Sequence, residues 1–398
     1  MKDKSVFNIS EHECSGCKMC ADVCSKSAIT FIDKSGFWYP SIDEDKCINC
    51  GLCRKKCPVL NGGHLTQEQP IACYGAYSKN SNIRNSSTSG GFFSELASYW
   101  IRQGGYCIAV LYDKELKVKH TCSNRLEDIE RFRQSKYVQS DAAGVYKQAK
   151  YLLLRGEKVL FCGTPCQIEA LKSYLGKEYD NLLTMDFVCL GICSPFAFRK
   201  YLDMLEAKFK SKVSRVWFKN KAFGWRGIGV RVDFENGKSY LEPGSNDLYM
   251  MAFVVDAINI RPNCQYCKFR KIPHCSDFTV ADFWGIEKVN PLIDDNKGIS
   301  AVFVNTIFGK SVLEPILNNL NYFETSVSDI CKGNFSTFKP IPTHPQSSDF
   351  MSYLQIHSFD EAMGKYGSYK GTKKIKLLYS QYRRKLLKIR GKIWGKFR

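Results

Sequence analysis

Near the amino terminus one cysteine spacing occurs twice, at Cys14, Cys17, Cys20 and Cys24 and again at Cys47, Cys50, Cys53 and Cys57. Both runs read C-x-x-C-x-x-C-x-x-x-C, and Pro58 follows the second. Three thiolates at two-residue intervals wrap three corners of a cubane, while the fourth lies too far along and ligates the neighbouring cubane instead. The spacing therefore assigns Cys14, Cys17, Cys20 and Cys57 to one [4Fe-4S] cluster, and Cys47, Cys50, Cys53 and Cys24 to a second. A structural zinc site needs only paired C-x-x-C units and leaves the third close cysteine of each run unexplained. Ser25 stands after Cys24 where this pattern usually has proline, a departure that touches the turn and not the ligands. Between the runs, AITFIDKSGFWYP reads as a hairpin turning at Lys34-Ser35-Gly36. The small α+β fold of a two-cluster ferredoxin-like domain is expected over residues 1–64.

A chain of 398 residues exceeds one domain by length, and 44% hydrophobic content suffices for a substantial core. The opening MKDKSVFNIS has no apolar core and no cleavage pattern. The apolar stretch from Leu248 to Ile260 is interrupted by Asp256 and is too short to span a bilayer. With this cysteine spacing and no secretory signal, nineteen cysteines point to a reducing, cytoplasmic setting rather than to disulfides. The net charge of +19 is concentrated: from Lys365 onward there are thirteen Lys and Arg and no acid, which leaves +6 for everything before.

Beyond Asn61-Gly62-Gly63, a linker signal, short apolar runs alternate with helical patterns over residues 65–338. Strands are expected at Ile71–Tyr77, Tyr106–Tyr112, Lys158–Cys162 and Leu182–Val188. Helices are expected at Gly90–Arg102, Ala142–Arg155 and Cys166–Leu175, and from Pro195, capped by Ser194, to Lys210. Val230–Leu241 reads as a hairpin around Asn236-Gly237. The alternation implies an α/β core with a mixed or parallel sheet. Residues 339–398 follow as a C-terminal extension with a basic helical tail.

Within that core, Phe161-Cys-Gly-Thr-Pro-Cys-Gln167 leaves a strand and opens a helix, so Cys166 sits where the helix dipole favours a thiolate. Cys189 leaves the next strand in the same way. On parallel strands both lie at the carboxyl edge of the sheet, where open α/β folds place their sites. Arg261-Pro-Asn-Cys-Gln-Tyr-Cys267 adds a C-x-x-C, and Cys166, Cys189, Cys264 and Cys267 make a set sufficient for a third cluster. Spacing alone leaves zinc or unrelated buried thiols open, with Cys193 and Cys275 as competing ligands. Cys73, Cys107, Cys122, Cys162 and Cys331 read as small core hydrophobes. His12 and His274 read as surface or second-sphere groups rather than ligands. No Ser–His–Asp set, P-loop or nicotinamide glycine fingerprint is present.

NSSTSGGFFSELA (residues 85–97), SKYVQS (135–140), VLFCGTPCQIEALKSYL, DFVCLGICSP, RPNCQYCKF and DFTVADFWGI resemble, in order, the beta-subunit family of coenzyme F420-reducing hydrogenases and dehydrogenases. The resemblance covers about residues 1–310. It implies a flavin, expected to be FAD, on the α/β core beside a third [4Fe-4S] cluster, and it sets Cys275 outside the ligands. For the flavin, the hydroxyl- and glycine-rich turn with Ser87, Ser89, Gly90 and Gly91 suits a phosphate at a helix start, although a plain capped loop has the same pattern. Lys136 offers a cation, or belongs to a surface basic loop. Gly163, Thr164 and Gln167 flank Cys166 and are candidates for the isoalloxazine edge. Asp282 and Gly285 close a turn expected near the cofactor, where Asp282 reads equally as an ordinary turn acid.

In the tail, an apolar stripe from Ile375 to Phe397 alternates with Lys and Arg, the pattern of a helix lying on an anionic membrane, and residues 373–397 are the expected contact at its inner face. A solvated or disordered tail shares that composition. The expected activity is that of an iron–sulfur flavoprotein oxidoreductase taking electrons from reduced ferredoxin to a small-molecule or cell-envelope-precursor substrate. An electron-input subunit using coenzyme F420 is the nearest alternative. A non-catalytic iron–sulfur protein binding nucleic acid through the tail is a further one, without a reading motif to support it.

Overall fold

A computed structural model describes residues 5–62, 68–334 and 340–368 of the chain. The amphipathic stretch 373–397 lies outside the described residues. Among the described residues, no helix is long and apolar enough to cross a membrane.

In the amino-terminal module a short helix, Met19–Val23, precedes a hairpin of β1 (Ile29–Lys34) and β2 (Phe37–Ile42), paired antiparallel from Ile29↔Ile42 to Lys34↔Phe37. The turn falls at Ser35-Gly36, as the sequence predicts. The core is built on β3 (Ala72–Ser78), β4 (Tyr106–Tyr112), β5 (Val118–Ser123), β6 (Val159–Cys162) and β7 (Leu182–Phe187). After the separate strands β8 (Val213–Asn220), β9 (Gly229–Phe234) and β10 (Ser239–Pro243) come β11 (Phe278–Asp282), β12 (Ser300–Val304) and β13 (Leu320–Thr325). The large sheet has the order β13-β3-β12-β11-β7-β6-β4-β5. Its centre, β4, β6, β7 and β11, is parallel, whereas β12, β13 and β5 run against their neighbours, so the sheet is mixed.

The strand sequences account for that order. β6, β7 and β12 (VLFC, LLTMDF, SAVFV) are buried almost throughout, as strands covered on both faces must be. The polar β5 and β13 take the edges. Period-two alternation sends Leu160 to one face, with Phe92, Leu96 and Trp100 of helix Phe92–Arg102. Val159 and Phe161 go to the other, with helices Val145–Leu154 and Pro165–Leu175.

β8, β9 and β10 form a second, antiparallel sheet whose core includes Phe198, Tyr201 and Leu205 of helix Pro195–Phe209. Phe350, Leu354, Phe359 and Met363 belong to the same cluster. The segment assigned from sequence to a C-terminal extension thus begins with two helices, Ser347–Leu354 and Phe359–Tyr366, packed as part of the core.

The amino-terminal module is locked onto this core rather than tethered to it. Arg261 is 0% exposed, and its guanidinium donates to Cys14 O (2.8 Å), Trp38 O (3.1 Å) and Gln139 Oε1 (3.2 Å). Tyr146 Oη donates to Cys17 O at 2.9 Å. The Asp22 carboxylate accepts from the backbone N–H groups of Gly144, Tyr146 and Lys147, so a module residue caps the core helix Val145–Leu154. Gly16 is required where the two surfaces meet: its φ is +68°, and a Cβ there would stand 2.2 Å from Gln139 Nε2 and 2.9 Å from Arg261 Cζ.

Candidate functional site

Two cavities are walled by the cysteines singled out from the sequence. Cys14, Cys17, Cys20 and Cys57 line one, with Lys18, Met19, Pro58 and Val59. Cys166, Cys189, Cys264 and Cys267 line the other, with Thr164, Arg270 and His274. Four sulfurs around one shared space suit a polyatomic cluster. Among the described residues, no three His, Cys, Asp or Glu side chains converge tightly enough for a single metal ion. The remaining set is looser, with Cys53 feeling the charge of Cys50 and Cys24. Cys50 is exposed beside Ile48 and Leu52, so this side of the module faces solvent.

Burial dominates the thiol electrostatics. It pushes Cys17 and Cys189 up to about 12 and Cys264 to about 11, and it carries Cys166 well above the usual thiol range, with Cys267, Cys189 and Cys17 adding like charge. Thiols in such surroundings keep their protons until ligation displaces them and the metal's charge takes their place. Phe269 of the core cavity's wall packs against the module cluster that contains Cys57 and Val59, and Asn263 of the same wall donates to Glu13 O at 2.6 Å, so the core cavity borders the module.

Helix Pro165–Leu175 positions Cys166. Thr164 is its N-cap and Gln167 closes the capping box, while Thr164 Oγ1 lies 3.1 Å from Cys166 Sγ. Cys264 and Cys267 come from the 3₁₀ turn Pro262–Tyr266 and its end. Cys193 and Cys275 are buried outside this wall, Cys193 beside Tyr249 and Cys275 beside Glu169. His274 does line it. The ring is 9% exposed, and Nδ1 pairs with Asp186 Oδ1 at 2.9 Å, on which Thr279 Oγ1 also donates at 2.7 Å. His12 is exposed, edge-on to Tyr266.

The residues nominated for the flavin gather at the carboxyl edge of the parallel strands, but several are already engaged. Ser87 Oγ donates to Ile83 O and Ser89 Oγ to Ile299 O. Lys136 turns back onto the carbonyls of Arg131, Phe132 and Arg133, closing the end of helix Asp128–Phe132, and burial lowers it to about 7. Gln167 is spent on Thr164 and Ser140. Gly163 N donates to Met185 O. Asp282 pairs with Lys219, and Gly285, at φ +84°, starts the short helix Ile286–Val289. Gly91, at φ +94°, starts helix Phe92–Arg102.

The charge around the Ser86–Gly91 loop came unannounced by sequence. Arg84, Arg133 and Lys221 all reach it or its flanks. Arg133 donates to Ser86 Oγ, and Lys221 Nζ donates to Arg84 O and Ser89 O. Burial, then the neighbouring Arg84 charge, lowers Lys221 to about 7. Arg84 is held by Asp295 through both terminal nitrogens, at 2.8 and 2.7 Å, and by Gly298 O. Arg133 and Lys221, bonded to neutral oxygens, are the cations that favour an anion beside this loop. At Gly90 a Cβ would meet Ala76 O at 2.2 Å and Ser300 N at 2.8 Å, both backbone atoms. Gly90→Ala is accordingly expected to cost about 1–3 kcal/mol of stability, read by thermal unfolding.

Residues 156–329 match the family described as the carboxy-terminal region of the coenzyme F420 hydrogenase/dehydrogenase beta subunit. Residues 13–61 match the 4Fe-4S dicluster domain. Over residues 156–329 the core is thus similar to the C-terminal domain of that beta-subunit family. Joined to a dicluster domain, such a core makes the chain an iron–sulfur redox protein of the oxidoreductase class. Among curated proteins none matches. Among solved structures, the F420-reducing [NiFe] hydrogenase complex from Methanosarcina barkeri contains a similar chain. Identity is 17% and the TM-score 0.45, over 77% of this chain and 96% of that one.

Proposed function

We propose that the chain is an iron–sulfur flavoprotein reductase with three [4Fe-4S] clusters, in which single electrons supplied to the dicluster module reach an FAD on the α/β core and leave as a pair. The clusters would supply one-electron relays and the flavin the conversion to two-electron chemistry. The observation that carries this reading is the adjacency of the two cysteine-walled cavities across a buried, hydrogen-bonded junction, with Phe269 in the wall of one and packed against the cluster that contains Cys57 and Val59 of the other. The chain's own residues do the positioning. Cys50 and its apolar neighbours face an incoming donor, Arg261 and Asp22 fix the module, and Arg133 and Lys221 offer charge to a cofactor phosphate.

Reduced ferredoxin is the proposed donor, because the chain carries its own dicluster relay; coenzyme F420 is the alternative that the family name favours. The acceptor is proposed to be a small molecule or a cell-envelope precursor, reached with the basic tail resting on the inner face of the membrane. Anaerobic mixing of the flavin-loaded protein with each donor separates the two. Ferredoxin is expected to bleach the flavin band at a rate that collapses in Cys50→Ser. Reduction by F420 that is indifferent to Cys50, with none by ferredoxin, would make the chain an F420-linked input protein of a larger assembly.

A further inference from the structure

Between Phe218 and Asn220 the register of β8 against β9 slips, and the extra residue is Lys219. Its φ of 57° is left-handed, a conformation that costs a non-glycine residue energy and persists where the surroundings over-determine it. Bulges of this kind re-aim a side chain and concentrate beside active sites. The re-aimed side chain here is a lysine, 8% exposed. Its ammonium pairs with Asp282 and hydrogen-bonds to Tyr137. It also stands 4.9 Å from the centre of the Trp284 ring.

Trp284 stacks on Trp225 at 4.7 Å with the planes 5° apart, and Trp225 Nε1 donates to Asp282 Oδ1 at 3.4 Å. Three segments distant in sequence, one of them from the second sheet, therefore converge on one ammonium at the carboxyl edge of the large sheet. Burial is the largest influence and works against the charge, but Asp282 and Tyr137 together outweigh it and keep Lys219 above the usual lysine range. Stability gives no reason for this arrangement, since apolar residues replace a buried ion pair at little or no cost.

We propose that Lys219 is a cofactor-facing cation, held by Asp282 and Tyr137 so that its ammonium offsets the negative charge a flavin gains on reduction at this edge; this rests on the flavin reading above. The balance is simple. Two electrons arrive singly from iron–sulfur donors, one proton comes from solvent, and one net negative charge is left for the ammonium to offset. A charge beside the ring system tunes its potential. Asp282 then holds the cation in its charged form.

The test is an anaerobic redox titration of the bound flavin in the full-length protein, followed by absorbance. Lys219→Met should lower the equilibrium constant for two-electron reduction tenfold or more, about 30 mV downward for a two-electron couple. Lys219→Arg should restore most of it. Lys219→Gln keeps a polar side chain without the charge and should lower the potential as Lys219→Met does. A packing role would lower thermal stability in Lys219→Met and leave the potential unchanged. Flavin-loaded Lys219→Met at the wild-type potential overturns the proposal. If that variant does not fold, a wild-type potential in Lys219→Gln overturns it instead. Wild-type protein that takes up no flavin fails the flavin reading itself, a distinguishable result.

Discussion

Cys166→Ala is expected to remove about four iron atoms per chain and to abolish flavin reduction by the donor, while the amino-terminal clusters stay intact. The cause is geometric. Cys166 opens helix Pro165–Leu175 with its sulfur in the wall shared by Cys189, Cys264 and Cys267, and its environment also includes Cys17 of the module. Alanine removes one ligand corner and the step nearest the module together. The module's own ligands lie in a different wall, formed by Cys14, Cys17, Cys20 and Cys57, so their signal should persist. Iron analysis with low-temperature spectroscopy of the reduced protein checks both halves. Full iron and full turnover in Cys166→Ala would remove the core cluster from the account.

Arg261→Ala should have the second large effect, on the junction rather than on a ligand. The side chain is fully buried, and its bonds reach Cys14 O, Trp38 O and Gln139 Oε1, with the guanidinium 4.2 Å from the Tyr39 ring centre. Each partner left unsatisfied in a buried setting costs about 1–3 kcal/mol, so with three acceptors roughly 3–9 kcal/mol of docking is at stake. Lysine is a poor substitute, because one ammonium cannot reproduce the planar fork that spans three acceptors. The expected outcome is a separate, lower-temperature unfolding step for the module and slow transfer from it to the flavin, with cluster content preserved by anaerobic assembly. A single unchanged transition and normal transfer would show the junction to be held by its other bonds.

How much of this was legible beforehand follows from where each constraint resides. The two cysteine runs are local, so ligand spacing alone names the residues that wall the first cavity. The carboxyl-edge position of Cys166 and Cys189 was also readable, because a strand followed by a capped helix fixes that edge in any parallel unit. The antiparallel edges were not: β11 and β12 are joined through short turns, the helix Ile286–Val289 among them, rather than through a full crossover helix, and apolar periodicity does not carry direction. Tertiary partners were invisible for the same reason. Asp186 and His274 stand 88 residues apart in sequence and 2.9 Å apart in space. Lys219 lies in a basic strand, RVWFKNK, where nothing marks it from its neighbours until the bulge turns it inward. Conversely, Ser87, Ser89, Lys136 and Gln167 had the right chemistry, but sequence cannot show that backbone carbonyls and a capping box already use it.

The most direct test of the central claim is the cofactor inventory of the full chain, purified without oxygen. The two cysteine walls beside the locked junction and the module's further set of Cys24, Cys47, Cys50 and Cys53 would hold three cubanes of four, about twelve iron atoms per chain, and the proposed function adds about one flavin. Iron near eight with no flavin bound would contradict the account, leaving a dicluster module fixed to a core that carries no redox centre.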